Sequence, residues 1–569
     1  MKLRMLFAST MTLGMLAGMV LTILLILLFW GGIIPAGLML VLTVAVNFVS
    51  WLITPFFTDL IQGWVYELRK LTFEQFEAEH PELAGFVRRT CESKRMPLPR
   101  IRLVNDDNPT AYTYGSWPGN ARLVGSNGLF RFLDLDEQCA VFAHELGHIK
   151  NLDFIVMTVA ATMLQILYEM GHILLRMRRG KNNPLPLIGL MSLVFYWIGS
   201  YLLLLLSRAR EYLADRFAAE VMGDPAPLQR ALVKVAYGMA EMAQLGQQNR
   251  LLKATRSMGI FDHKAAHGVG NALRASSDYP TDGSAALQPQ VTSTPAPAGF
   301  DPQIVTPVML FDLYNPWAFV SELASTHPLT GKRLRALNEA APRLGVEPLF
   351  DFAAVDREGQ KLDRGRLYGR FFVEVVIYYG PWIGLGFGLL LAAVSAVFVP
   401  QAPLFPAVIG FLGLGMLLKG LYRFSAGKDF EPITMYELMS DPYASPLRGR
   451  PVQLEGTIIG KAQAGAYFGE DVTMKDRSGG LVNLNYESLI PFLGNLFFAF
   501  RGARQAQGAE ATARGWFRRS VHQFVDLADM DVDGKTVRSW TRFWGVFGGV
   551  LVTGIGLVSL VPWALLLLG

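Results

Sequence analysis

His144-Glu145-Leu146-Gly147-His148 sets two imidazoles four residues apart with a carboxylate beside the first. On a helix, positions i and i+4 share a face, so both rings can reach one Zn²⁺. The pattern makes His144 and His148 metal ligands and Glu145 the general base toward the water that the metal activates, then the proton donor to the leaving amine. The flanking residues read as helix. Asp134 and Glu137 have the spacing of an N-terminal cap, and no proline follows until Pro184. The competing reading is two histidines on a solvated helix face.

A catalytic zinc takes three protein ligands and keeps a fourth position open. The helix is expected to run on into an apolar span that starts at Phe154. His148 then lies about 9 Å from the bilayer at 1.5 Å per residue. The next span ends at Leu206, and Glu211 follows five residues later. Two antiparallel spans of similar length bring His148 and Glu211 to one depth, which makes Glu211 the expected third ligand. Asp153 is about 140° around the same helix from His148 and is expected to face away. Asp215, one turn beyond Glu211, is expected to support a ligand imidazole. Alternatively, Glu211 and Asp215 pair with Arg208, Arg210 or Arg216 at the membrane edge.

The elements that must hold these residues are membrane helices. Of 569 residues, 51% are hydrophobic and 17% charged, against about 25% charge in an ordinary soluble domain. Disorder, collagen and a disulfide scaffold are excluded. A net charge of +5 is too small over this length to argue for nucleic acid. Cys91 and Cys139 lack metal-ligand spacing and read as packing in a reducing compartment. Seven stretches are long enough to span a bilayer: Met5–Trp30, Ile33–Phe57, Phe154–Leu175, Leu185–Leu206, Phe372–Val399, Leu404–Leu421 and Phe543–Leu568. The first reads as a retained helix because it exceeds a signal-peptide core and no A-x-A site closes it.

The expected organisation is a transmembrane hairpin over 1–57 and a mostly α zinc peptidase domain with a small edge sheet over 58–371. That domain includes the spans at about 154–175 and 185–206 and a disordered insert at about 262–306. A second hairpin covers 372–424, a β domain 425–540, and a last helix 541–569. The insert lacks periodicity. The β domain shows alternating strands at Val452–Ile459, Asp471–Lys475, Leu481–Asn485, Ala511–Phe517 and His522–Leu527, with an apolar helix at Glu487–Phe500. Five strands with a helix there suggest an OB-type barrel. Positive-inside bias puts the polar regions on the cytoplasmic side, although Arg176, Arg178, Arg179 and Lys181 fall on the other side.

The run His144–Asp153 resembles the zinc helix of the HtpX and CAAX prenyl endopeptidase family of membrane metalloproteases. Ser207-Arg-Ala-Arg-Glu-Tyr-Leu-Ala-Asp215 is similar to its E-x-x-A-D element, and Ser325-Thr-His-Pro-Leu-Thr-Gly-Lys-Arg333 to its T-H-P…R element. The likeness covers residues 1 to about 340, and the order of spans favours the HtpX branch. It implies one Zn²⁺ per chain, Glu211 as the third ligand, and His327 in the active site. There His327 would supply the donor that a developing oxyanion needs. It further implies supporting roles for Asn151, Asp215 and Arg333, protein or peptide substrates drawn from membrane proteins, and quality control in a bacterial inner membrane. In place of the family's N-A-[FY]-x-x-G, the edge strand here reads Thr110-Ala111-Tyr112-Thr113-Tyr114-Gly115. Ala111, Tyr112 and Thr113 can still bind an extended peptide through their backbone.

The resemblance stops before the β domain. Arg514, Trp516, Phe517, Arg518 and Arg519 have the types of a nucleic-acid platform. A lipid-facing, regulatory or substrate-recruiting role fits better, and a nucleic-acid partner is not expected. The runner-up function is a non-catalytic membrane scaffold with structural zinc and a partner-binding barrel.

Overall fold

The computed structural model describes residues 16, 19, 20, 23, 33–65, 67–176, 184–244, 302–398, 404–461, 471–491, 494, 495, 506–519 and 523–561. Most of the expected first span, residues 262–301 of the expected insert, the Arg178–Lys181 loop and most of the Glu487–Phe500 segment lie outside these residues.

Helix α1 (Ile33–Val65) runs past Phe57, the expected end of the span. Its extra turns carry Asp59 to a four-stranded sheet of β1 (Arg69–Lys70), β2 (Arg100–Val104), β3 (Ala111–Tyr114) and β4 (Arg122–Ser126). Asp59 accepts from Tyr114 Oη at 2.5 Å and from Arg122 Nε at 3.2 Å, tying membrane helix to sheet. The strand order is β1-β2-β4-β3, with β2 parallel and β3 antiparallel to β4. Strand β3 is therefore an edge.

Helix α2 (Pro81–Lys94) packs on α3 (Leu135–Lys150), which carries the HExxH residues. Asp134 and Glu137 cap α3 reciprocally, Asp134 accepting from the Glu137 N–H and Glu137 from the Asp134 N–H. The helix does not run on into the membrane. It ends at Lys150, Asn151 forms its C-cap, and Leu152 takes a left-handed φ of 59° before α4 (Asp153–Arg176) begins. By contrast α5 (Leu185–Met222) is one continuous helix of 38 residues, membrane span first and buried polar residues after.

Helix α6 (Ala226–Gln244) completes the peptidase core with α7 (Pro302–Tyr314). The latter corrects the expected insert, because residues 302–306 are helical and Val305 is buried in the core with Met309. Helices α8 (Pro316–Leu323) and α9 (Thr330–Asn338) frame the loop that holds His327.

The expected single span Phe372–Val399 is broken. Helix α10 (Arg364–Tyr378) meets α11 (Gly380–Phe398) at a 56° bend. Pro381 sits at the start of α11, where it cannot donate to the preceding turn. Helix α12 (Leu404–Arg423) packs between α11 and α13 (Thr541–Val558). Among the described residues, four helices are long and apolar enough to cross a membrane, and the bent pair makes a fifth.

The short strand β5 (Glu431–Pro432) pairs with the first strand of a closed C-terminal barrel, made of β6 (Arg450–Lys461), β7 (Val472–Asp476), β8 (Leu481–Asn485), β9 (Glu510–Arg519) and β10 (Gln523–Val532). Strands β6, β7 and β8 form an antiparallel meander. Strand β8 pairs parallel with β10, which pairs antiparallel with β9, and β9 closes onto β6. The alternating residues Val452, Leu454, Val472, Met474, Val482 and Leu484 fill its core.

Candidate metal centre

Helices α3 and α5 cross closely at Gly147. A Cβ there would lie 3.0 Å from Ala214 Cα, so a larger residue would push the two helices apart. The contact brings three donor side chains to one point. His144 Nε2 and His148 Nε2 are 3.1 Å apart. The Glu211 carboxylate lies 3.6 Å from the first and 3.7 Å from the second. Two nitrogens bound tetrahedrally at about 2.0–2.1 Å stand about 3.3–3.4 Å apart, so the spacing suits zinc. His144 and Glu211 are buried, and Glu211 Oε2 has no hydrogen-bond donor. A buried carboxylate oxygen without a donor is costly unless a cation faces it. The residues present therefore fit a zinc ion, which His144, His148 and Glu211 could hold; the Glu145 carboxylate lies within 4.8 Å of both imidazoles in the same cluster.

Each imidazole is oriented from behind. His144 Nδ1 lies 2.9 Å from Asp215 Oδ1, and Asp215 is gripped by Arg333 through Nε at 2.9 Å and Nη2 at 2.6 Å. His148 Nδ1 lies 2.6 Å from Asp153 Oδ2. A carboxylate only accepts, so each Nδ1 keeps its proton toward its carboxylate, and Nε2 is the nitrogen that can bind a metal once its own proton is displaced. The His144–Asp215 pair is an ion-pair contact and not a hydrogen bond. Burial disfavours the charged form of His148, but the Asp153 hydrogen bond and the Glu211 charge outweigh it and push the ring up to about 9.

The Asp153 contact overturns the expectation that this residue faces away. That expectation assumed 100° per residue without interruption, and the left-handed Leu152 swings Asp153 back under His148. Arg210 was open as a membrane-edge partner and instead holds Asp153 and the Asn151 carbonyl. Asn151 thus contributes its backbone, while its side-chain nitrogen makes no hydrogen bond. An asparagine at the end of a helix was the available signal for the break.

Glu145 is almost fully buried and points at the strand side of the centre. Its Oε2 accepts from Thr113 Oγ1 at 2.8 Å, and its Oε1 has no hydrogen-bond partner. Burial raises its carboxyl above the usual range, and the two histidines and Thr113 pull the other way. Thr113 was expected to serve through its backbone, and its hydroxyl contact to Glu145 had no signal in the sequence. Ala111 and Tyr112 sit beside it on the edge strand, their side chains buried. His327 Nε2 lies 3.5 Å from Glu211 Oε1, on a loop braced by Ser325 and by Arg208 of α5.

The segment that holds this centre is similar to known peptidases. The sequence model of Peptidase family M48 matches residues 77–341, which contain every residue of the centre. A protease HtpX homolog of Pseudarthrobacter chlorophenolicus is 34% identical over 189 residues, 33% of this chain and 65% of that protein. Another, of Methylibium petroleiphilum, is 30% identical over 209 residues, 36% of this chain and 71% of that protein. The chain belongs to the M48 peptidase family, of the HtpX and CAAX endopeptidase type. The crystal structure of S. mikatae Ste24p shares 15% identity over 57% of this chain and 62% of that one, at a TM-score of 0.30. The family match ends before the barrel begins.

The barrel residues with nucleic-acid character turn out to be internal. Trp516, Phe517, Arg518 and Arg519 are each at most 3% exposed, which removes them from any stacking surface. Arg514 is paired with Asp529 and Asp531.

Proposed function

We propose that the protein is a membrane-embedded zinc endopeptidase acting on membrane proteins, in their quality control or processing. The observation that carries this is the division of labour among buried acids. Glu211 lies 3.6 and 3.7 Å from the two imidazole nitrogens, while Glu145, whose carboxylate also comes within 4.8 Å of both rings, is held by Thr113 through one oxygen and keeps the other unpaired. A structural site has no use for that second carboxylate, which argues against the scaffold reading.

Zinc, when bound by His144, His148 and Glu211, supplies a Lewis acid that lowers the pKa of water and polarises the scissile carbonyl. Strand β3 is a sheet edge with no strand paired to its outer side among the described residues. It can take an extended peptide as an added strand, which sets the scissile bond beside Glu145. Thr113 fixes the Glu145 carboxylate by one oxygen and leaves Oε1 to accept the proton of the attacking water. Glu145 then delivers that proton to the leaving amine. His327 Nε2, 3.5 Å from the Glu211 oxygen that also faces His148, can donate to the developing oxyanion. Asp153, Asp215 and Arg333 keep both rings in the ligating tautomer.

The positive-inside bias and the family support a bacterial inner membrane, with the peptidase and barrel on the cytoplasmic side. The barrel's closed order β6-β7-β8-β10-β9 supports an OB-type fold used for recruitment or regulation. The test is cleavage of labelled casein by the detergent-purified chain. A chelator should abolish it and stoichiometric Zn²⁺ restore it. Cleavage that survives complete metal removal contradicts the reading.

A further inference from the structure

The C-terminal barrel is not a tethered module. Val308 of α7 lies in the barrel core, while Val305 and Met309 of the same helix lie in the peptidase core. Asn315, just after α7, donates its side chain to the carbonyls of Pro442 at 2.8 Å and Ala444 at 2.9 Å on the barrel side. Leu329, two residues after His327, clusters with Phe311, Ala318 and Ala444. One barrel residue reaches further than any of these. Arg519, at the end of β9, is 3% exposed and lies 3.9 Å over the Phe311 ring. It donates to the Met439 carbonyl and, at 3.5 Å, to the Val308 carbonyl, and its Nη2 stands 3.9 Å from Asp312 Oδ1.

The other oxygen of Asp312 accepts the Gly331 N–H at 3.1 Å, at the start of α9. Gly331 is required for this approach, since a Cβ there would sit 3.0 Å from Asp312 Cβ. Helix α9 carries Arg333, which grips Asp215 and stands 3.7 Å from Glu211. The His327 loop enters the same helix. Burial lowers Arg519 to about 10, with Asp312 and Asp441 opposing, so it keeps its charge at neutral pH.

We propose that Arg519 is a positioning residue for His327: through Asp312 and the start of α9, the barrel sets the loop that presents this histidine, and so forms part of the catalytic unit. The proposal rests on the peptidase reading. It differs from a recruiting role in what it predicts for kcat and KM. Recruitment by the barrel would show in KM, whereas misplacement of an oxyanion donor shows in kcat.

The test uses the full-length, detergent-purified protein with labelled casein. Arg519→Met should lower kcat by about tenfold or more with KM and zinc content unchanged, because small misplacements at a reacting centre are expensive. Asp312→Asn, on the peptidase side of the contact, should do the same, and it answers for the case in which Arg519→Met fails to fold. Neither change should lower kcat further in a His327→Ala background, since both act through that residue. Arg514→Gln, on the same strand but facing out, should leave kcat at the wild-type value. Wild-type kcat in folded Arg519→Met or Asp312→Asn overturns the proposal. So does a further loss in the His327→Ala background, a loss of zinc, or a rise confined to KM. If wild type itself cleaves nothing, the peptidase reading fails instead.

Discussion

Replacing Asp153 by Asn tests the support beneath His148 and spares the ligands. Asp153 Oδ2 lies 2.6 Å from His148 Nδ1, while Oδ1 takes the Arg210 guanidinium. An amide cannot serve both. If its oxygen stays with Arg210, its NH₂ faces Nδ1 and favours the tautomer with the proton on Nε2, the atom that should face the metal. If it turns the other way, its NH₂ confronts Arg210. Either orientation forfeits one charge-assisted hydrogen bond, worth about 1.5–3 kcal/mol. At 1.4 kcal/mol per decade this weakens zinc binding about 10- to 100-fold. Competition titration of the apo-protein against a zinc-sensitive fluorescent chelator measures the change. Asp136→Asn, in the first turn of α3, the helix that carries His148, serves as the control. At saturating zinc, kcat should stay close to wild type, because every ligand and Glu145 remain. A zinc Kd within twofold of wild type would refute the role given to Asp153.

Three further outcomes follow from the same geometry. Glu211→Ala should lose stoichiometric zinc by elemental analysis, since one of three protein ligands is gone; full zinc in that variant would pass the role to another group. His327→Ala should keep zinc and lose about 10²–10³ in kcat, and an unchanged kcat would return the residue to structure. Gly147→Val should wedge α3 from α5 at Ala214, destabilising the peptidase unit by about 1–3 kcal/mol in thermal unfolding and weakening zinc binding; unaltered stability would mean that the crossing is looser than it stands here.

Local rules carried the sequence reading where one element decided the outcome. The Asp134–Glu137 cap, the HExxH face and the alternating barrel strands depend on neighbours in sequence, and they are found at or near their expected places. Failures came where the backbone departed from regularity. Leucine rarely adopts the left-handed backbone that Leu152 takes, and nothing in the residue type signals it. Gly380-Pro381 did signal a break inside an apolar run that hydropathy alone treats as one span. The inward turn of Arg518 and Arg519 was illegible for a different reason. Their partners Leu447, Arg423, Met439 and Val308 come from segments up to 211 residues distant, so exposure could not be judged from the strand. Thr113 and Glu145 likewise meet only once β3 packs on α3.

In the proposed function Glu145 does chemistry beside a metal that it does not hold. Glu145→Gln keeps the shape and the Thr113 contact but cannot take a proton from water. The decisive measurement is casein cleavage by wild type and Glu145→Gln, side by side, with zinc content determined on both samples. Equal zinc and equal thermal stability are expected, with cleavage lost in the variant. Equal cleavage by the two proteins, or loss of zinc from Glu145→Gln, would contradict the role given to Glu145.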